Sequence, residues 1–181
     1  MLDPGRTALL VVDVQEKLTR LMWEREAMLT AMRQVVEGAR ALGLPVVWCE
    51  QYPEGLGPTV PELAEPLRAA GYEPIPKKTF SCLAHPPIRA ALEATGARDV
   101  LVLGIETHVC VYQTSRDLLA AQRGVEVVAD AVSSRTARNR ELGLTRIQQA
   151  GGRLTSAEMC LFELLGRAEG DAFKAISRLV K

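Results

Sequence analysis

The chain has 181 residues, 48% hydrophobic and 24% charged, the balance of a water-soluble globular domain with a substantial core. Lys plus Arg equals Asp plus Glu at 22 each, so no surplus of positive charge calls for nucleic acid and no charge block marks a tail. The longest apolar runs are strand-sized, short of the ~20 residues of a membrane span. The start, MLDPGRTALLVVDVQ, lacks a signal-peptide layout, because its apolar stretch ends in Asp13 with no small-residue cleavage site. The expectation is a cytoplasmic protein with one domain over residues 1–181.

In chain order, ALLVVDV (8–14) reads as a fully buried strand. Residues 24–42 form a helix with Met28, Met32, Val35, Val36 and Ala39 on one stripe and Gly43 as its stop. PVVWCE (45–50) is the second strand, and QYPEGLGPTVPEL is a loop by its prolines and glycines, running into a short helix near 61–70. EPIPKK (73–78) is a short third strand whose prolines suit an edge. A helix from Pro86 to Thr95 follows, then the apolar strand DVLVLG (99–104). Thr107 is an N-cap candidate for a helix over 108–123 that Gly124 stops. VEVVAD (125–130) is the fifth strand. Ser133, Ser134 and Asn139 offer caps for a helix to about 150, RLTSAE opens a sixth short strand and another helix, and DAFKAISRLV closes the chain as an amphipathic helix.

Six apolar runs alternating with helices give an α/β fold: three layers, a six-stranded, mainly parallel sheet with helices on both faces. Ligands of such folds bind beyond the carboxyl ends of the strands, where the strand order reverses. The residues just past the strands are Asp13, Gln51 and Tyr52, Lys77 or Lys78, and Glu106 to Cys110, so an acid, a lysine and a cysteine converge on one rim.

The four cysteines, at 49, 82, 110 and 160, form no C-x-x-C pair, and the two histidines, 85 and 108, give no zinc spacing. The expectation is free thiols, no metal and no cofactor. Cys110 stands where an apolar strand meets a helix, the place where unpaired N–H groups, a nearby ammonium and a carboxylate base favour a thiolate. On that reasoning its pKa is lowered. Cysteine at a helix start also serves as plain packing, and an acid at a strand end also caps a turn. His108, two residues from Cys110, would not face it on a helix, which disfavours a Cys–His dyad. A catalytic thiol, a binding or scaffold protein, and a redox-sensing thiol protein all remain open on the residues alone.

VVDVQEKL with Asp13, KKTFS with Lys77, Phe80 and Ser81, GIETHVCVYQT with Cys110, and VVADAVSSR together resemble the isochorismatase-like cysteine hydrolase family over about residues 6 to 166. EQYPEGLGPTVPEL and GIETHVC look most like its isochorismatase domain-containing branch. The resemblance implies a Rossmann-like isochorismatase fold and a catalytic triad of Asp13, Lys77 and Cys110 acting on a small amide or related acyl substrate through a thioester. It also implies a cis peptide at Ile105–Glu106 and an oxyanion hole from the backbone N–H groups of Glu106 and Cys110. Gln15, Gln51, Tyr52, Phe80 and Thr107 would line the substrate pocket, with 51–60 as a lid. The family's nicotinamidases carry Asp-x-His-x-His after the second strand. Here that stretch is CEQYPEGLG, without histidine, so metal-independent hydrolysis is expected. The expected partner is a small molecule, neither nucleic acid nor membrane. Apolar helix residues beyond one core stripe leave homo-oligomerisation open.

Overall fold

The computed structural model describes residues 2–181. Its elements run β1 (Thr7–Val12), α1 (Glu16–Thr19), α2 (Arg25–Ala41), β2 (Val46–Gln51), α3 (Pro53–Leu56), α4 (Pro61–Ala69), β3 (Ile75–Lys77), α5 (Pro86–Ala94) and β4 (Asp99–Ile105). Then come α6 (Tyr112–Ala120), β5 (Gly124–Ser133), α7 (Ala137–Gln149), β6 (Arg153–Thr155), α8 (Ala157–Leu165) and α9 (Gly170–Leu179). The six strands form one sheet in the order β3-β2-β1-β4-β5-β6, and every pairing within it is parallel. The order reverses between β1 and β4, so the rim beyond those two strands is the switch point.

Strand alternation builds two cores, one on each face. Leu9, Val11, Trp48, Leu101 and Leu103 pack against α2, α4, α8 and α9 through Met32, Leu63, Leu161 and Ile176. Leu10, Val12, Val47, Val100 and Val102 pack against α5, α6 and α7 through Ile88, Leu118 and Ile147. Each fully buried aliphatic side chain contributes about 1.5–3 kcal/mol of transfer free energy. That is why these strands read as unbroken apolar runs.

Local boundaries depart from the sequence reading at three places. The segment after β2 is not all loop: Pro53 starts the short helix α3, a position where its missing N–H costs nothing. β5 continues to Ser133, so neither Ser133 nor Ser134 caps α7; Thr136 does, its hydroxyl accepting from the Asn139 N–H at 3.2 Å. Asn139 contributes only its backbone. Thr107 is not an N-cap either. Glu106 is extended in the cap position, and Thr107–Val111 form a wide turn in which the Val111 N–H reaches back five residues to the Glu106 carbonyl at 3.2 Å.

Candidate active site

Asp13 follows β1 with φ 54, a left-handed backbone that Asp tolerates better than most residues. This turns its side chain along the rim, where it is 0% exposed. The edge strand β3 alternates, so Pro76 and Lys78 face out while Lys77 points in and is 2% exposed. Lys77 Nζ donates to Asp13 Oδ2 at 2.7 Å, to Gln51 Oε1 at 2.7 Å and to the carbonyls of Thr79 and Phe80 at 3.1 and 3.4 Å. Cys110 comes from the wide turn after β4, is 7% exposed, and interacts electrostatically with both Asp13 and Lys77. Acid, lysine and thiol are thus drawn together from three non-adjacent segments, across the switch point.

The electrostatics reverse one expectation. Burial and the negative charge of Asp13 push the Cys110 thiol up, outweighing the opposing ammonium of Lys77. The resting sulfur keeps its proton, and the lowered pKa expected from a helix start is not found. The wide turn is only a few residues long and its sulfur is enclosed, so desolvation of the charged form dominates. Burial also raises the Asp13 carboxyl, against Lys77 and the thiols of Cys110 and Cys49. For Lys77, burial favours the neutral amine, but the charge of Asp13 together with the neighbouring thiols of Cys49, Cys82 and Cys110 outweighs it, and its pKa is raised. The chemical consequence is a protonated thiol beside an unusually basic carboxylate, with a fixed ammonium balancing the charge.

The remaining expected site residues separate into three groups. Gln51 steadies Lys77 and donates from Nε2 to the Lys78 carbonyl at 3.1 Å. Tyr52 and Phe80 are 47% and 55% exposed. Gln15 is not at a pocket wall: it is 0% exposed, accepts from the Gln51 N–H at 2.8 Å, and donates to the carbonyls of Gln51 and Gly57 at 2.9 and 2.7 Å. Its amide acts as a splint under the 51–60 segment. Further ties hold that segment: Lys17 Nζ donates to the Gly55 carbonyl at 2.7 Å, and Trp48 Nε1 donates to Thr59 Oγ1 at 2.9 Å. Thr59 in turn donates to Glu50 Oε1 at 2.7 Å. Thr107 is 0% exposed with its hydroxyl unpartnered.

The peptide between Ile105 and Glu106 is cis. Glu106 Oε2 accepts from Arg135 Nε at 3.0 Å and from the Arg135 N–H at 3.2 Å. His108 Nδ1 lies 3.0 Å from Ser134 Oγ and so is engaged away from Cys110. Two further thiols, which the sequence marked only as free, also reach the cluster. Cys49 Sγ is 3.6 Å from Asp13 Oδ1 and 3.4 Å from Cys82 Sγ. The register that sets Cys49 beside Val12, one residue before Asp13, was the available signal.

Among the described residues no group of three or more His, Cys, Asp or Glu is placed to hold a metal, and no helix is long and apolar enough to cross a membrane.

The sequence model of the isochorismatase domain matches residues 7–159. The chain belongs to the isochorismatase family. Isochorismatase domain-containing protein 2 of Bos taurus is 41% identical over 179 residues, covering 98% of this chain and 84% of that protein. Among solved structures, the MAR1 ribonuclease from Caenorhabditis elegans is 38% identical with a TM-score of 0.90, covering 99% of this chain and 91% of that one. The YcaC gene product of Escherichia coli, described as an octameric hydrolase of unknown specificity, is 25% identical with a TM-score of 0.92, covering 98% and 88%. These relatives share the three-layer α/β fold, and the family points to a hydrolase.

Proposed function

We propose that this protein is a cytosolic, metal-independent cysteine hydrolase of a small amide or related acyl compound, with Asp13, Lys77 and Cys110 as its catalytic residues. The observation that carries this reading is the buried Asp13–Lys77 pair at 2.7 Å set against the Cys110 thiol. Two buried charges beside a thiol are a costly arrangement for a scaffold, since desolvation offsets much of their attraction.

The chemistry runs as proton transfer coupled to attack. As Cys110 Sγ bonds to the substrate carbonyl carbon, its proton passes to Asp13. The backbone N–H groups of Glu106 and Cys110 receive the developing oxyanion. Collapse breaks the carbon–nitrogen bond, and the leaving amine takes the proton from Asp13, which leaves a thioester on Cys110. Water then gives a proton to Asp13 and attacks the thioester. The acid departs and the proton returns to sulfur. Lys77 stays charged throughout and keeps the carboxylate in place. On this reading Tyr52, Phe80 and Gln51 would meet the substrate.

A screen of small amides, ureides and esters, with and without a chelator, tests this reading, with Cys110→Ala as the blank. Turnover in the wild type that survives chelation and is absent from the blank is the expected result. Turnover that needs added Zn²⁺ contradicts metal independence. The C. elegans relative's name makes a short single-stranded RNA a useful further arm. RNA binding asks for cations free to neutralise phosphates, whereas here Lys77 is enclosed, Arg135 is paired to Glu106, and total charge is balanced at 22 and 22. No cleavage is expected.

A further inference from the structure

Cys49 grips Asp13 at two points. Its backbone carbonyl accepts the Asp13 N–H at 3.2 Å, and its Sγ lies 3.6 Å from Asp13 Oδ1. The same sulfur is 3.4 Å from the Val11 carbonyl, the neutral competitor for its single proton, and 3.4 Å from Cys82 Sγ. Cys49, Cys82 and Asp13 are each 0% exposed, so no water competes for these contacts. With Oδ2 taken by Lys77, the orientation of the carboxylate depends on what faces Oδ1.

We propose that Cys49 is a positioning residue for Asp13: its thiol donates to Oδ1 while Lys77 holds Oδ2, which presents the carboxylate to Cys110 in one orientation. Cys49 itself has no access to substrate. Burial, Cys82 and the charge of Asp13 push its thiol well up, so it remains a donor throughout the neutral range. A donor on a carboxylate favours the ionised form. Cys49 therefore restrains the rise in Asp13 basicity that burial causes. The groups facing Asp13 are Lys77 from β3, Cys110 from the wide turn and Cys49 from β2, with Cys82 behind Cys49. This role rests on the reading of Asp13 as the base, but its test needs no substrate.

The test is a carbon NMR titration of the Asp13 carboxyl in the full chain, assigned with Asp13→Asn. Cys49→Val and Cys49→Thr are nearly isosteric and differ in the donor. A net hydrogen bond of about 1 kcal/mol corresponds to roughly 0.7 pH unit. Cys49→Val should raise the Asp13 midpoint by about that much, and Cys49→Thr should leave it near the wild-type value. Should the Val variant fail to fold, Cys49→Ala against Cys49→Ser gives the same contrast. An unmoved midpoint without the donor, or an equal shift with and without it, overturns the proposal. A midpoint that moves as expected in a protein that hydrolyses nothing on the screen would sink the hydrolase reading and leave this one standing.

Discussion

Cys110 and Cys160 occupy matching places at opposite sides of the sheet. Each is the fourth residue of the helical segment that follows a parallel strand, β4 and β6 respectively, and each is buried. Both thiols are pushed up, chiefly by burial, Cys160 to about 12. Their partners differ. Cys160 Sγ donates to the Ala157 carbonyl at 3.2 Å within its own helix, and the carboxylates of Asp130 and Glu126 act on it without a lysine. Cys110 interacts with a carboxylate that is itself held by an ammonium. A helix start and a sulfur do not make a nucleophile. On the proposed reading, what separates Cys110 is a base that can take the proton, with a fixed charge behind it.

The largest expected effect breaks the comparison at its centre. Cys110→Ala should lower turnover by about a thousandfold or more, whereas Cys160→Ala should leave turnover within about twofold and cost about 1 kcal/mol of stability from the lost packing. Equal activity in the two variants would dissolve the distinction.

Lys77 comes next. Lys77→Ala leaves Asp13 buried without its ammonium, which should cost about 3–5 kcal/mol and remove activity together. Denaturant unfolding and turnover measure both. Lys78 lies one residue on, exposed, 5.4 Å over the Tyr52 ring. Its replacement by Ala should change stability by no more than about 0.5 kcal/mol.

The pH dependence sharpens the similarity between the thiols. A folded-state pKa raised above the unfolded one gives stability that is present below the unfolded value and lost as pH rises towards the folded one. For Cys160 that window opens near its ordinary value of 9.0 and extends to about 12. By about pH 10.5 the loss should reach roughly 2 kcal/mol. Melting temperature should fall over this range, and Cys160→Ala should flatten the fall. A variant with the wild-type slope would show that burial does not hold the proton on sulfur.

The splint under the 51–60 segment carries a smaller effect. Gln15→Ala removes three hydrogen bonds to the backbone of Gln51 and Gly57 and should cost about 2 kcal/mol. Thermal unfolding reads this directly.

Much of the architecture was legible because buried parallel strands leave unbroken apolar runs, as in ALLVV and VLVL, and because the residues ending those runs lie on the rim by topology. Alternation along IPKK also bears on which lysine turns inward. What was not legible depends on three-dimensional surroundings. The pKa of Cys110 follows from how completely it is enclosed, which no local pattern records. Thr107 had a cap's chemistry, but the extended Glu106 before it set a wide turn instead. Gln15 carried a side chain fit for substrate, yet the chain folds the 51–60 segment over it and uses both its donors and its carbonyl oxygen there.

The most direct measurement of the central claim is intact-protein and peptide mass spectrometry on acid-quenched turnover, with a substrate found in the screen. The account predicts that the acyl mass appears on the peptide containing Cys110, and that Asp13→Asn suppresses its formation. An acyl group on another residue, or steady hydrolysis by Cys110→Ala, would contradict it.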